Sequence, residues 1–301
     1  METIRIFDQE LVVKDELCTT NPLFPKKCMP QLRLYIKLTD NCNAHCQFCA
    51  NANSCDYGSV DLDKLEYVIT YLLSINVLKG ISITGGEPLL ECHKLFELLD
   101  FIYQIKPDME VQISTNGINI IKLLDYPDIN HLESIHISRH HYSDEVNSQI
   151  FSSSFVATAD DISSFQEQLE NKRIVNINTL VMRDYISDLE EIKKMLDHVG
   201  ELGVYKNGFV SLMRCNSYSE EQFINFNNIF SNLDESFCKG PHFYCKDYCE
   251  CLDGFYYTKY HKIVEFYARM VKECACPYTT QLVYTSDNQL TAGFGKKLIY
   301  K

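Results

Sequence analysis

The stretch LYIKLTDNCNAHCQFC, residues 34–49, decides the predicted fold class of this 301-residue chain. Its first half, LYIKLTD, has the short apolar character of a β-strand. Its second half places Cys42, Cys46 and Cys49 in a CxxxCxxC spacing directly after that strand. In α/β proteins, the connections that follow the carboxyl ends of parallel strands carry functional residues. The stretch therefore predicts a thiol site at the edge of a parallel sheet.

Short β-branched runs alternate with helical patterns from residue 33 onward and predict an α/β fold. Asp61 is a plausible N-cap for a helix after the first strand, and Ser187–Glu190 forms a capping box before the last. Such alternation requires a parallel sheet with right-handed crossovers, either open and doubly wound or curved into a barrel. The six predicted strands cover residues 33–38, 80–84, 110–114, 132–138, 173–181 and 207–213.

The alternation ends after Arg214 and predicts a small Cys-rich α+β domain at residues 216–301, with residues 1–30 as an N-terminal extension. A capping box at Ser219–Gln222 predicts a helix to about Leu233, and the apolar spacing predicts a second helix over residues 258–274. Turn signals at Asp253-Gly254 and at residues 286–288 predict two hairpins around that second helix.

Cysteine makes up 14 of the 301 residues, and the 28 basic against 41 acidic side chains give a net charge of −13. A surface of this sign repels phosphate backbones, so a nucleic-acid duplex is a poor partner. The first ten residues lack the pattern of a secretory signal, and no apolar run approaches the length that spans a bilayer. We therefore expect a cytoplasmic protein without a membrane span, in which cysteines bind metals more readily than they form disulfides.

Soft thiolates such as those of the triplet select zinc, Cu(I) or iron-sulfur clusters. A closed zinc site prefers four ligands, and here the local fourth ligand is missing unless His45 or Cys55 supplies it. Three cysteines on a four-iron cluster would instead leave one iron open to bind a small molecule. The triplet alone leaves these alternatives open.

Taken together, the motifs resemble those of the radical S-adenosylmethionine (SAM) superfamily. CNAHCQFC is similar to its cluster motif, ITGGEP at residues 83–88 to its GGE motif, and STNG at residues 114–117 to its TNG motif. The fourth strand ends in IHIS at Ser138, and the fifth, VNINTLVM, contains Asn178. The resemblance covers about residues 31–215 and implies a partial (β/α)6 TIM-like barrel.

This resemblance implies that Cys42, Cys46 and Cys49 ligate a 4Fe-4S cluster whose fourth iron binds SAM. Glu87 would accept a hydrogen bond from the SAM ammonium, and Gly85 and Gly86 would allow the backbone to approach the ligand. The other residues that the resemblance assigns to SAM are Phe48, Asn116, Ser138 and Asn178. Reductive cleavage of SAM would give a 5'-deoxyadenosyl radical that abstracts hydrogen from a substrate, with electrons from a donor such as flavodoxin or ferredoxin.

A second group of cysteines lies in the predicted C-terminal domain. The group resembles the twitch or SPASM-type domains that hold auxiliary clusters, although Gly293 stands where a returning Cys is often found. Two complete clusters need eight thiolates and six are present, so we expect one auxiliary iron-sulfur cluster, with zinc as the alternative. The candidate ligands are Cys238, Cys245, Cys249, Cys251, Cys274 and Cys276.

Arg139, His140 and Tyr142 leave the fourth predicted strand at the functional edge of the sheet. A cationic and aromatic segment there is a candidate for binding a carboxylate or phosphate, with His or Tyr as a proton donor. The alternative is a polar loop that leads into a helix.

The expected function is that of a radical SAM enzyme acting on a substrate, with a ribosomally made peptide as the first candidate. Radical cyclisation or rearrangement of a nucleotide or other small molecule is the alternative, because the fifth and sixth strands also resemble the GTP cyclase of molybdenum-cofactor synthesis. A hypothesis of another class is a non-catalytic Cys-rich metal-binding protein.

Overall fold

The computed structural model describes residues 2–13, 32–50, 58–243, 251–260, 262–268, 279, 281–293 and 297–301. At residues 2, 239–243, 251–254 and 268 it describes the backbone alone.

A large mixed sheet forms the framework of the described chain. Six strands run parallel in chain order at its centre, as the sequence predicts, and each predicted end lies within two residues of the observed one. The described sheet has two edge strands, β14 (Leu298–Tyr300) and β9 (Phe237–Phe243), so it does not close into a barrel. The six central strands are β3 (Leu32–Lys37), β4 (Leu78–Thr84), β5 (Glu110–Thr115), β6 (Ser134–Ser138), β7 (Val175–Val181) and β8 (Lys206–Ser211).

Strands from the C-terminal part of the chain extend this sheet at both edges. β11 pairs parallel with β8, and β12 pairs parallel with β3, so eight neighbouring strands are parallel. The outer strands are antiparallel to their neighbours. The domain boundary at residue 215 stays a prediction. The C-terminal strands are β9 (Phe237–Phe243), β10 (Cys251–Tyr257), β11 (Lys262–Ala268), β12 (Gln281–Tyr284), β13 (Leu290–Thr291) and β14 (Leu298–Tyr300).

α-Helices connect the central strands, except that two short 3-10 helices, Ile120–Asp125 and Ile129–His131, connect β5 to β6. Asp61 caps the first helix as predicted, because its carboxylate accepts a hydrogen bond from the amide of Lys64. The cap of the helix before β8 is Asp188, one residue after the predicted capping serine. The helices are α1 (Leu62–Ser74), α2 (Cys92–Ile105), α3 (Asp144–Phe151), α4 (Ala159–Gln168), α5 (Leu189–Glu201), α6 (Ser217–Gln222) and α7 (Asn227–Phe230).

The two faces of the parallel strands differ in polarity. On β3, Leu34 and Ile36 are buried in one apolar cluster with residues of α1, α2 and α5, whereas Arg33, Tyr35 and Lys37 alternate with them on the opposite face. Parallel sheets are usually apolar on both faces. The polar face of this sheet departs from that pattern, and it ends at the edge where the cysteines lie.

Two predictions for the C-terminal part were wrong. Residues 262–268 form strand β11 rather than part of a helix, because Lys262, Val264 and Phe266 are buried alternately with their neighbours in a β-branched and aromatic run. Asp253-Gly254 lies inside β10, where the pairing with β9 shifts register, so this glycine marks a β-bulge instead of a turn.

Two other expectations had different outcomes. The hairpin over residues 281–291 is confirmed by β12 and β13. The helix expected from the Ser219–Gln222 box to about Leu233 is broken into α6 and α7, with Asn216 as the cap of α6.

The predicted N-terminal extension contains a β-hairpin, β1 (Glu2–Ile6) and β2 (Gln9–Val13). At its tip, the ring of Phe7 stacks on Tyr71 at 4.0 Å and on Tyr300 at 4.4 Å between centroids. Aromatic pairs of this kind fix the hairpin against α1 and β14. In the described part of the chain, none of the helices combines the length and apolar character needed to cross a bilayer.

Candidate active site

The cysteine loop, residues 42–49, follows β3 at the carboxyl edge of the parallel strands. The backbone just before it is hydrogen-bonded to the end of β4. The amide of Gly86 donates to the carbonyl of Thr39 at 2.6 Å, and the amide of Glu87 donates to the carbonyl of Asn41 at 2.8 Å. These two bonds bring the predicted GGE and cysteine motifs together.

Gly85 and Gly86 are required by this contact between the two chain segments. A Cβ on Gly86 would lie 2.2 Å from the carbonyl oxygen of Asn41, and a Cβ on Gly85 would lie 2.4 Å from that of Thr39. Gly85 also has a φ of 142°, which residues with a side chain rarely adopt. The backbone that approaches these glycines is the segment before Cys42, and an approach to SAM stays a prediction.

The carboxylate of Glu87 is only 1% exposed and accepts three hydrogen bonds from the chain. Its Oε1 accepts from the hydroxyl of Thr115 at 2.6 Å and from the amide of Leu89 at 2.9 Å, and its Oε2 accepts from the amide of Asn116 at 2.7 Å. Burial raises the pKa of Glu87 to about 7, against these three bonds, which lower it. A carboxylate has about four acceptor positions, and the described chain fills three of those of Glu87.

Asn116 links this carboxylate to the cysteine loop. Its Nδ2 donates to Oδ1 of Asn43 at 2.9 Å and lies 4.0 Å from Sγ of Cys42. The hydroxyl of Thr115 accepts from the amide of Gly117 at 2.8 Å, which fixes the turn after β5. The GGE, TNG and cysteine motifs therefore form one hydrogen-bonded unit.

The three thiols of the cysteine loop are close enough to affect one another. Burial and the charges of the other two thiols raise the pKa of Cys46 to about 12, and burial raises that of Cys42. A metal that binds here must displace the thiol protons. The amide of Ala44, 3.4 Å from Sγ of Cys42, points a donor at a sulfur that would carry negative charge.

Among the described residues, no three His, Cys, Asp or Glu side chains converge as ligands of a single ion. A four-iron cluster is broader than one ion, so its ligands need not converge on one point. Three thiols on one loop, with amide donors directed at Cys42, fit such a cluster.

Phe48, between Cys46 and Cys49, packs into a small apolar cluster. Its half-buried ring lies against Ile150, Met182 and Leu212 and is T-shaped to the His140 ring, with 5.4 Å between the ring centroids. The contact with adenine stays a prediction.

Ser138 and Asn178 pair with each other in the register of β6 and β7, on the polar face. The amide Nδ2 of Asn178 lies 3.1 Å from Nδ1 of His136, whose Nε2 lies 2.8 Å from the hydroxyl of Ser134. Burial lowers the pKa of His136 to about 4, so the ring is neutral at neutral pH. Sequence reasoning missed His136, although it lies two residues before Ser138 in IHIS and therefore on the same face of the strand.

The segment after β6 differs from the open rim that the sequence predicts. The side chain of Arg139 is 0% exposed and is paired with Asp144 at 2.7 Å. His140 is buried against Phe151, and its Nδ1 accepts from the amide of Leu180. The Tyr142 hydroxyl donates to Glu191.

These contacts hold α3 and α5 against the sheet and leave the guanidinium of Arg139 unexposed. For Arg139 the structure favours the alternative of a loop that leads into a helix. Catalytic roles for Arg139, His140 and Tyr142 stay predictions without support from this geometry.

The auxiliary ligand set is described only in part. Cys245, Cys249, Cys274 and Cys276 lie outside the described residues. Cys238 is an exposed free thiol on β9 opposite Tyr256, whereas Cys251 begins β10 five residues away from Tyr256. At about 3.4 Å per residue, the two cysteines are about 17 Å apart along the strands, too far for both to ligate one cluster. An auxiliary cluster can include one of them at most.

The comparison with family models decides the classification. The model described as the radical SAM superfamily matches residues 36–196, more than half of the chain. The chain belongs to the radical SAM superfamily. The match contains the cysteine loop, the GGE and TNG motifs and the strands that carry them, and it disfavours the non-catalytic alternative. Members of this superfamily use a 4Fe-4S cluster and SAM.

Relatives and solved structures within the superfamily differ in their substrates. A GTP 3',8-cyclase of Clostridium perfringens is 30% identical over 160 residues, covering 52% of this chain and 48% of that protein. The chain thus matches about half the length of that relative. SuiB of Streptococcus suis has a similar fold: its structure bound to the precursor peptide SuiA gives a TM-score of 0.62 at 16% identity, over 90% of this chain and 63% of that one. The structure of SuiB bound to S-adenosylmethionine gives 0.61 at 14% identity.

Proposed function

We propose that this chain reductively cleaves SAM at a 4Fe-4S cluster held by Cys42, Cys46 and Cys49, and that the resulting radical abstracts hydrogen from a ribosomally made peptide. The cluster, when bound, would supply the electron that breaks the carbon-sulfur bond of SAM. The observation that carries the SAM part of the proposal is the hydrogen-bonded unit of the GGE, TNG and cysteine motifs.

Within this unit the chain's own residues have distinct tasks. Glu87 offers its remaining acceptor position to the SAM ammonium, and Thr115 and Asn116 hold the carboxylate in place. Phe48 offers an apolar ring to the adenine, and Ser138 and Asn178 offer polar groups from the polar face of the sheet. A fixed arrangement of this kind orients the ligand before the reaction begins.

The polar face below this edge supports an uncharged substrate. Its described cations carry acidic partners: Arg33 is 3.1 Å from Glu110, and Lys206 is 2.7 Å from Glu265. Lys37 is likewise 3.1 Å from Asp40. Cations that are already neutralised attract a triphosphate weakly, whereas the polar groups of this face can hydrogen-bond to neutral peptide amides.

The second candidate is radical cyclisation or rearrangement of a nucleotide or another small molecule. The sequence identity with GTP 3',8-cyclases favours it. That identity covers about half of the chain, so it supports the proposed reaction with SAM more than it supports a particular substrate.

Anaerobic reconstitution with iron and sulfide, followed by dithionite and SAM, tests the proposed chemistry through formation of 5'-deoxyadenosine. Adding GTP, or the peptide encoded by a short open reading frame beside the gene, then separates the two substrates. We expect the peptide and not GTP to increase 5'-deoxyadenosine formation and to lose hydrogen. A GTP-derived product would favour the second candidate.

The remaining parts of the proposal are one auxiliary cluster, a low-potential donor such as flavodoxin or ferredoxin, and a cytoplasmic location. We expect Cys276→Ala to leave uncoupled SAM cleavage largely intact, because Cys276 belongs to the proposed auxiliary group. A loss equal to that of a Cys46 variant would contradict this division of roles.

A further inference from the structure

The cysteine loop is held from two sides by other parts of the chain. On one side, the amide of His45 donates to the carbonyl of Phe151 at 2.9 Å, and Nδ2 of Asn43 donates to the carbonyl of Phe155 at 2.6 Å. Both acceptors lie at or just after the end of α3. These bonds fix the first half of the loop.

The second half of the loop is held by the residues that follow β8. Nδ2 of Asn216 donates to the carbonyl of Gln47 at 2.9 Å, and the thiol of Cys215 lies 3.8 Å from the carbonyl of Phe48. A thiol is a weak donor, so the amide of Asn216 makes the stronger contact. These contacts hold a turn, in which the backbone amide of Cys49 donates to the carbonyl of Cys46 at 3.1 Å.

Asn216 makes this contact while it caps a helix. Its Oδ1 accepts from the amide of Ser219 at 2.8 Å, and the hydroxyl of Ser219 accepts from the amide of Asn216 at 3.0 Å, which forms a reciprocal capping box at the start of α6. The cap fixes the amide plane, so Nδ2 is directed at the carbonyl of Gln47. One side chain thus connects α6 to the turn between Cys46 and Cys49.

We propose that Asn216 is a positioning residue that fixes the Cys46–Cys49 half of the cysteine loop for the cluster. The inference rests on the proposed function, because it concerns the same cluster. It assigns a role to the first residue after the predicted barrel, at the point where the C-terminal segment begins. Through Asn216, α6 and the cysteine turn are joined by one amide.

Asn216→Asp tests this role with little change in shape. One carboxylate oxygen keeps the cap on Ser219, and a negatively charged residue at a helix N-terminus is as good a cap as Asn. The other oxygen replaces Nδ2 and faces the carbonyl of Gln47, so a donated bond becomes a repulsion between two acceptors. The substitution therefore separates the contact with the loop from the capping of α6.

Asn225→Asp is the matched control. Asn225 is exposed, and its Oδ1 accepts from the amide of Asn227 at 2.9 Å, so the change exchanges the same atoms, adds the same charge and keeps the acceptor. It lies nine residues from Asn216, and its side chain bonds to the amide of Asn227 rather than to the cysteine loop.

The first measurement is the half-time of iron release from the reconstituted protein to a ferrous chelator under anaerobic conditions. We expect iron release from Asn216→Asp to be about tenfold faster than from wild type or Asn225→Asp, because the substitution removes one hydrogen bond to the loop and replaces it with a repulsion. Equal half-times for the three proteins would overturn the proposal.

The second measurement uses the iron-free chain and follows amide hydrogen exchange. In Asn216→Asp we expect faster exchange at the amide of Cys49, which closes the held turn, and unchanged exchange at the amide of His45, which Phe151 holds from the other side. A wild-type chain that loads no cluster would refute the proposed function. Exchange would then decide the inference alone, and an unchanged rate at Cys49 would overturn it.

Discussion

Replacing Gly86 with alanine perturbs the contact on which the candidate site depends. The added Cβ would lie 2.2 Å from the carbonyl oxygen of Asn41 and 2.6 Å from that of Asp40. Both atoms belong to the backbone, so no side chain can rotate away to make room. One of the two segments has to move by about 0.8 Å to reach 3.0 Å, the shortest contact that a real Cβ makes.

The cost of this movement can be estimated from the bonds it stretches. A shift of about 0.8 Å lengthens the 2.6 Å bond from the amide of Gly86 to Thr39 to about 3.4 Å, and the 2.8 Å bond from the amide of Glu87 to Asn41 to about 3.6 Å. Both lengths exceed the usual range of about 2.7–3.2 Å for such bonds. At about 1–2 kcal/mol for each bond, Gly86→Ala should lower the free energy of unfolding by about 2–4 kcal/mol. The same movement displaces the start of the cysteine loop.

Urea unfolding of the iron-free chain measures this loss, and iron bound per chain after reconstitution measures the effect on the loop. Gly203→Ala is the control, because its φ of 74° carries a strain of about 1 kcal/mol while the nearest atom to the new Cβ, Cγ of Gln166, lies 3.7 Å away. We expect Gly86→Ala to be the less stable variant and to bind less iron. Equal stability and equal iron content in the two variants would refute the reasoning.

Two other changes test the polar groups of the site. Thr115→Val removes the hydroxyl that donates to Glu87 and accepts from Gly117, so the free energy of unfolding should fall by about 1–3 kcal/mol and the affinity for SAM should fall as well. Thr115→Ser keeps the hydroxyl and should keep both properties. Equal results for the Val and Ser variants in urea unfolding and in equilibrium dialysis with SAM would contradict this. His136→Asn removes a half-buried imidazole whose pKa is lowered to about 4 in the folded chain. As the pH falls, the unfolded chain binds this proton at a higher pH than the folded chain does. The free energy of unfolding of wild type should therefore drop by up to about 3 kcal/mol between pH 6.5 and pH 4, and that of the variant should drop less. Parallel curves of stability against pH for the two proteins would count against a neutral His136.

The central strands could be predicted from the sequence because their signals are local. Strand β3 alternates buried apolar residues with half-buried ones, β7 is rich in β-branched residues, and the cap at Asp61 lies directly before a helical pattern. The C-terminal part could not be predicted equally well, because β11 is a strand through its parallel pairing with β8, which is distant in the sequence. Its spacing fits a helix as well, and tertiary pairing overrides such a local preference.

The site residues that belong to a sequence motif could be predicted. The cysteine, GGE and TNG motifs lie together as expected, whereas Arg139 was expected at an open rim and is buried against Asp144. A charged residue after a strand looks the same in sequence whether it faces a ligand or an internal partner. Thr115 and Asn216 were missed as supports because their partners, Glu87 and Gln47, are remote in sequence.

The most direct test of the central claim is the formation of 5'-deoxyadenosine from SAM by the anaerobically reconstituted chain with dithionite. Wild type should form it, and Cys46→Ala should not, because the loop then offers two thiols where the cluster needs three. Cys92→Ala is the control, since Cys92 is a free thiol at the start of α2, outside the cysteine loop. Absence of 5'-deoxyadenosine from cluster-loaded wild type, or equal formation by Cys46→Ala, would contradict the account.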